Sequence, residues 1–146
     1  MIIKKKLSEF RVGDKFAYTK TLGEGDCALF VSASGDFNPY HIDEEFAKKH
    51  RFGSRIVPGL LTASLFTHIG GELGFLAVKM RFEFLEAVYI GDTITATCEL
   101  VEIDEKRSFV RISGKCTNQK GEAVLNGEFE GYPTLDRFPN NLGRRA

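Results

Sequence analysis

The densest chemistry in the chain lies in Ser34-Gly35-Asp36-Phe37-Asn38-Pro39-Tyr40-His41, where a carboxylate, a carboxamide and an imidazole fall within six positions. Gly35 permits a tight backbone turn, and Pro39 biases Asn38 away from helix, so the segment reads as an ordered bend able to bring Asp36 and His41 together. An acid and an imidazole aimed at one point can hold and polarise a single water, sharing proton transfer between groups whose pKa values bracket neutrality. Each residue alone has a plainer reading: Asp36 and Asn38 also make Asx turns, and His41 is also a satisfied core histidine. His41 and Asp43 give two metal donors with no third at ligand spacing, so no metal is expected. His50 and His68 read as structural.

The elements that must position this bend fall into two halves. From residue 76 onward the hydrophobic period is two. Leu76, Val78, Met80, Phe82 and Phe84 alternate with mainly charged neighbours. Ile94, Ala96, Cys98 and Leu100 follow, then Val110, Ile112, Gly114 and Cys116, then Ala123, Leu125, Gly127 and Phe129. Short polar turns separate the four runs, which predicts an antiparallel meander with one polar face. Gly59 to Gly74 differs, since Leu60, Leu61, Ala63, Leu65, Phe66 and Ile69 leave almost no charged face. That pattern predicts a buried helix, begun by Pro58-Gly59 and ended at the glycines. Smaller helices are expected over Glu24 to Ala33 and over Glu44 to His50, the second capped by Asp43. Together these give an α+β domain in which a curved antiparallel sheet wraps a central buried helix.

Composition narrows the setting. A chain of 146 residues suits one domain, expected over residues 1–134, with residues 135–146 an extended or disordered tail. Lys+Arg and Asp+Glu are 20 each, so no global field steers nucleic acid or an anionic membrane toward the protein. Disorder is excluded by 42% hydrophobic content without charge imbalance. Cys27, Cys98 and Cys116 form no CxxC pair and read as small core residues. The first ten residues lack an apolar stretch of signal-peptide length, and no run is long enough to span a bilayer, so a cytoplasmic location is expected.

Gly35-Asp36-Phe37-Asn38-Pro39-Tyr40-His41 resembles the Gly-Asp-x-Asn-Pro-x-His signature of the MaoC-like hydratases, the (R)-specific enoyl-CoA hydratase family with a hotdog fold. Ala47 at the following small-residue site and the Pro58-Gly59-Leu60-Leu61 helix start extend the resemblance, which covers about residues 8–132. The resemblance implies reversible hydration of trans-2-enoyl-CoA to (R)-3-hydroxyacyl-CoA, with Asp36 and His41 activating the water. It further implies Gly59 as the backbone N–H for the thioester oxyanion, Asn38 and Thr67 as supporting residues, and a homodimer or higher homo-oligomer. An open sheet edge, which natural proteins pair or cover, also points to dimerisation. Neither a metal nor a separate cofactor is implied, coenzyme A being part of the substrate. Many relatives have His where this chain has Pro58, which cannot donate a hydrogen bond. The cluster Lys48-Lys49-His50-Arg51, with Arg55 and with Lys79 or Arg81, reads either as a solvated face or as a clamp for the phosphates of coenzyme A. Two other readings keep the fold: a hotdog thioesterase, disfavoured because Gly59 to Gly71 holds no carboxylate, and a non-catalytic acyl-CoA binder, disfavoured by the intact pair.

Overall fold

The computed structural model describes residues 6–133; the expected C-terminal tail lies outside the described residues. Alternation in the second half of the chain folds as expected for three strands. β3 (Thr93–Asp104) buries Ile94, Ala96, Cys98 and Leu100, β4 (Phe109–Thr117) buries Val110, Ile112 and Cys116, and β5 (Ala123–Pro133) buries Leu125 and Phe129. They pair as an antiparallel meander.

The expected four-strand meander needs correction at both ends. A fifth strand, β1 (Lys15–Thr21), pairs with β3, and β2 (Phe75–Phe84) pairs with β5 rather than with the strand that follows it. The sheet order is β1-β3-β4-β5-β2. β1 carries a weak periodic signal because it is an edge strand, half-buried only at Phe16, Tyr18 and Lys20. Threonine hydroxyls tie it to β3, at 2.8 Å for Thr19 with Thr95 and 2.7 Å for Thr21 with Thr93. The alternation of β2 is also broken, because a bulge between Ala77 and Lys79 inserts one residue. One inserted residue switches the face that side chains take, so Phe75 before the bulge and Phe82 after it both pack on the core. Leu76, Val78, Met80 and Phe84 remain exposed.

The expected single helix over Gly59 to Gly74 is two, α4 (Gly59–Ala63) and α5 (Leu65–Leu73), meeting at Ser64. The Ser64 hydroxyl donates to the Leu61 carbonyl at 2.6 Å, a local bond that competes with the helical ladder. Gly74 ends α5 with a left-handed backbone, φ 66°. Burial is one-sided: Ala63, Leu65, Phe66, Ile69 and Leu73 are in the core, whereas Leu60 is 58% exposed.

α5 packs on β1, β2 and β3. β1 and β2 are opposite edges, roughly 19 Å apart across four strand spacings if the sheet were flat, while a helix with its side chains is about 10–12 Å wide. One helix touches both edges only if the sheet curls around it. Gly114 makes room for that approach, since a Cβ there would lie 2.7 Å from the Phe66 ring. Cys27, Cys98 and Cys116 are buried and free, and burial pushes the Cys98 and Cys116 thiols up to about 12. Among the described residues no helix is long and apolar enough to cross a membrane.

Gly131 sets the β2 to β5 contact, because a Cβ there would meet the Leu76 carbonyl oxygen at 2.1 Å and the Ala77 Cα at 2.8 Å. Backbone atoms cannot rotate away as a side chain can. Gly131→Ala is therefore expected to destabilise by about 3 kcal/mol, the upper end of overpacking costs, read as a lowered midpoint in urea unfolding.

Candidate active site

α1 (Glu24–Ser34) ends where Gly35 turns left-handed at φ 73°, its N–H donating to the Val31 carbonyl. The chain then makes successive side-chain turns. Asp36 N–H donates to Ser34 Oγ at 3.1 Å, Asn38 N–H to Asp36 Oδ1 at 3.4 Å, and Tyr40 N–H to Asn38 Oδ1 at 3.1 Å. Asn38 thereby caps a short helix, α2 (Pro39–Ile42), with Pro39 in its first turn. The bend read from sequence thus contains a helical turn, and that turn presents His41.

His41 is buried, with Nδ1 2.9 Å from the Ile56 carbonyl and Nε2 3.5 Å from Asp36 Oδ2. A carbonyl has no proton to give, so Nδ1 is the donor and Nε2 is left to face the carboxylate. Asp36 remains about half exposed. A half-wet acid beside a fixed imidazole nitrogen is an arrangement that can hold a water and pass its proton.

His41 lines a cavity of about 900 Å³ with Arg51, Val57, Gly59, Thr62 and Phe84. Gly59 opens α4, and its N–H is one of the donors that a helix start leaves without an intrahelical partner. A Cβ on residue 59 would stand 2.7 Å from the ring of the exposed Phe84, so a side chain there would have to push that ring aside. Thr67 does not join this cavity. Its hydroxyl donates to the Ser64 carbonyl at 2.6 Å, and it lines a second, apolar cavity of about 300 Å³ with Phe66, Gly70 and Met80. Thr62, the one hydroxyl inside Leu60-Leu61-Thr62-Ala63 and marked by no motif in the sequence, is buried, and its Oγ1 has no partner among the described residues.

The basic residues separate. Lys48 pairs with Glu45 at 3.1 Å and Lys49 is exposed, whereas Arg51 lines the His41 cavity with its guanidinium 5.6 Å from the Phe52 ring centre. Arg55, expected among the phosphate candidates, is already engaged by Glu24 and Glu44. Those hydrogen bonds raise its pKa, Glu24 first, and occupy the donors that a phosphate would need. Asp43 caps α3 (Glu44–Lys48) by accepting the Phe46 N–H at 2.9 Å. His50 Nδ1 donates to the Phe46 carbonyl at 2.6 Å, and His68 stacks on Tyr18 at 3.6 Å and pairs with Glu72 at 3.3 Å. Glu72 puts a carboxylate on α5 immediately after Gly71, yet it does not line the His41 cavity.

A family model described as MaoC like domain matches residues 9–122. The chain is 32% identical over 124 residues to an (R)-specific enoyl-CoA hydratase of Rhodospirillum rubrum, covering 82% of this chain and 85% of that protein. It is 34% identical over 137 residues to a mitochondrial 3-hydroxyacyl-[acyl-carrier-protein] dehydratase of Solanum lycopersicum, covering 90% of this chain and 83% of the relative. The unliganded R-hydratase of Pseudomonas aeruginosa superposes with a TM-score of 0.83 at 29% identity, over 97% of this chain and 95% of that one.

Thr62 generates a stability prediction. A buried hydroxyl without a partner costs about 1–3 kcal/mol, and valine keeps the shape while removing the polar atom. Thr62→Val is expected to gain about 1 kcal/mol in chemical denaturation; a loss of that size would mean that a water or another group satisfies the hydroxyl.

Proposed function

The chain belongs to the MaoC-like dehydratase family and has its hotdog fold, and from that premise we propose that it hydrates trans-2-enoyl-CoA reversibly to (R)-3-hydroxyacyl-CoA, with Asp36 and His41 as the catalytic pair. The observation that carries this reading is the 3.5 Å approach of His41 Nε2 to Asp36 Oδ2, made beside a cavity that also exposes Gly59.

In hydration, a water held between the two side chains attacks C3 of the enoyl group. Its oxygen forms the new C–O bond, one of its protons passes to the pair, and the pair returns a proton to C2. Negative charge develops on the thioester oxygen as the enolate forms, and the Gly59 N–H is the donor proposed to meet it. No electrons are exchanged, so the step as written calls for no redox cofactor. The Asn38 cap on Tyr40 supports the pair by fixing the turn that carries His41. The cavity is wide enough to admit a thioester with its pantetheine arm, and Arg51 at its wall is the basic residue best placed for an anionic group.

A homodimer fits the exposed apolar residues. Leu76, Val78, Met80 and Phe84 lie on β2, an edge strand whose outer side pairs with nothing among the described residues. Such an edge needs a cover, and a second copy of this strand supplies one. Sedimentation equilibrium is expected to give twice the 16.3 kDa chain mass, and Val78→Glu to shift the equilibrium toward monomer.

The reaction is tested by following loss of enoyl absorbance with crotonyl-CoA and hexenoyl-CoA. Asp36→Asn and His41→Ala are each expected to lower kcat at least about 100-fold, the scale for removing a general acid or base. Equal rates for both variants and wild type would sink the mechanism, and release of free thiol without hydration would favour the thioesterase reading.

A further inference from the structure

Arg55 stands directly before Ile56, and Ile56 is the residue that holds His41. The Ile56 carbonyl accepts from His41 Nδ1 at 2.9 Å, while the Ile56 N–H donates to the Tyr40 carbonyl at 3.0 Å. Both bonds depend on where this extended segment lies relative to α2. Its other side is held by a bridge from Ile56 to Tyr89.

The Arg55 side chain is mostly covered and spans two helices. Its Nε donates to Glu44 Oε2 at 3.2 Å, its backbone N–H donates to the same oxygen at 3.3 Å, and a terminal nitrogen donates to Glu24 Oε1. Glu24 begins α1, the helix whose end leads into Asp36; Glu44 begins α3, which follows the helix of His41. One guanidinium therefore ties together the segment that orients His41, the helix before Asp36 and the helix after His41. Both glutamates also sit at helix N-termini, where negative charge is favoured, so each has a fixed place from which to hold the arginine. A planar fork with several donors suits this task where a lysine would not.

We infer that Arg55 is a positioning residue: its clamp on Glu24 and Glu44 sets the Ile56 carbonyl against His41 Nδ1 and so aims His41 Nε2 at Asp36. This rests on the proposed hydration for its kinetic consequence, but not for its structural one. A guanidinium neutralised by two carboxylates has no charge left over for substrate phosphates, which separates the inference from a phosphate clamp. Displacement of a catalytic group by about 1 Å can cost about 100-fold in rate, so the effect belongs in kcat rather than in KM.

The experiment compares wild type, Arg55→Gln, Arg55→Lys and Glu24→Gln, with crotonyl-CoA and with crotonyl-pantetheine, which lacks the nucleotide phosphates. Arg55→Gln is expected to lower kcat about 10- to 100-fold with KM within about twofold, equally for both substrates, and Arg55→Lys to recover only part of the loss. Nitrogen-15 NMR of the His41 ring is expected to show a single Nδ1–H form in wild type and a mixture in Arg55→Gln. Should Arg55→Gln fail to fold, Glu24→Gln, which removes the more exposed partner, is expected to show the same direction at smaller size. A rise in KM confined to crotonyl-CoA would overturn the inference in favour of phosphate binding. Unchanged kcat and unchanged His41 resonances in folded variants would overturn it in favour of a purely structural ion pair. If wild type turns over neither thioester, the hydration reading fails while the His41 resonances still decide the role of Arg55.

Discussion

The hydrogen bond from His41 Nδ1 to the Ile56 carbonyl organises the site. It gives the Nδ1–H of a buried imidazole its acceptor, and it decides which nitrogen faces Asp36. That bond in turn needs two segments that are distant in sequence to meet: α2, set by the Asn38 cap, and residues 55–57, set by backbone bonds to Tyr40 and Val88. Val57 N–H donates to the Val88 carbonyl at 2.7 Å, so the segment that fixes the histidine is itself hung from the connection between β2 and β3. The site is therefore built on backbone geometry, with side chains completing it.

Packing explains why the backbone can hold that shape. The curled sheet closes on α5 because glycines stand where bulk is impossible, with Phe66 and Phe129 crowding the positions of Gly114 and Gly127. The core that results is continuous through Phe66, Ile69, Leu100, Ile112, Leu125 and Phe129. Burial of this apolar surface is the main favourable term in folding, and it places α4 so that Gly59 reaches the cavity shared with His41. Leu60 on α4 and Met80 and Phe84 on β2 stay exposed at the margin of this core, and one chain alone leaves them in water.

Charge acts locally. Twenty basic and twenty acidic residues cancel over the whole chain, yet they do not mix evenly. Arg55 is enclosed by Glu24 and Glu44, and Arg111 lies between Glu102 at 2.7 Å and Glu130 at 3.3 Å across the sheet, while Arg51 faces the cavity. A basic residue in the sequence is thus no guide to a free cation until its neighbours are known.

Much of the molecule was legible in the chain itself. The alternation of β3, β4 and β5, the helices beginning at Glu24 and Glu44, and the family carried by Gly35 to His41 all follow from local pattern, because side-chain direction in strands and capping in helices are properties of neighbouring residues. The approach of Asp36 to His41 was foreseeable for the same reason: they stand five positions apart and Gly35 and Pro39 shape the turn. What local pattern did not carry was anything set by distant partners. β1 as an edge strand, the pairing of β2 with β5, the bulge that redirects Phe82, the break at Ser64, and the capture of Arg55 by two glutamates each depend on contacts across the fold. Residue types and short spacings determined which groups are available for chemistry; long-range packing and pairing decided which way they point and which of them remain free.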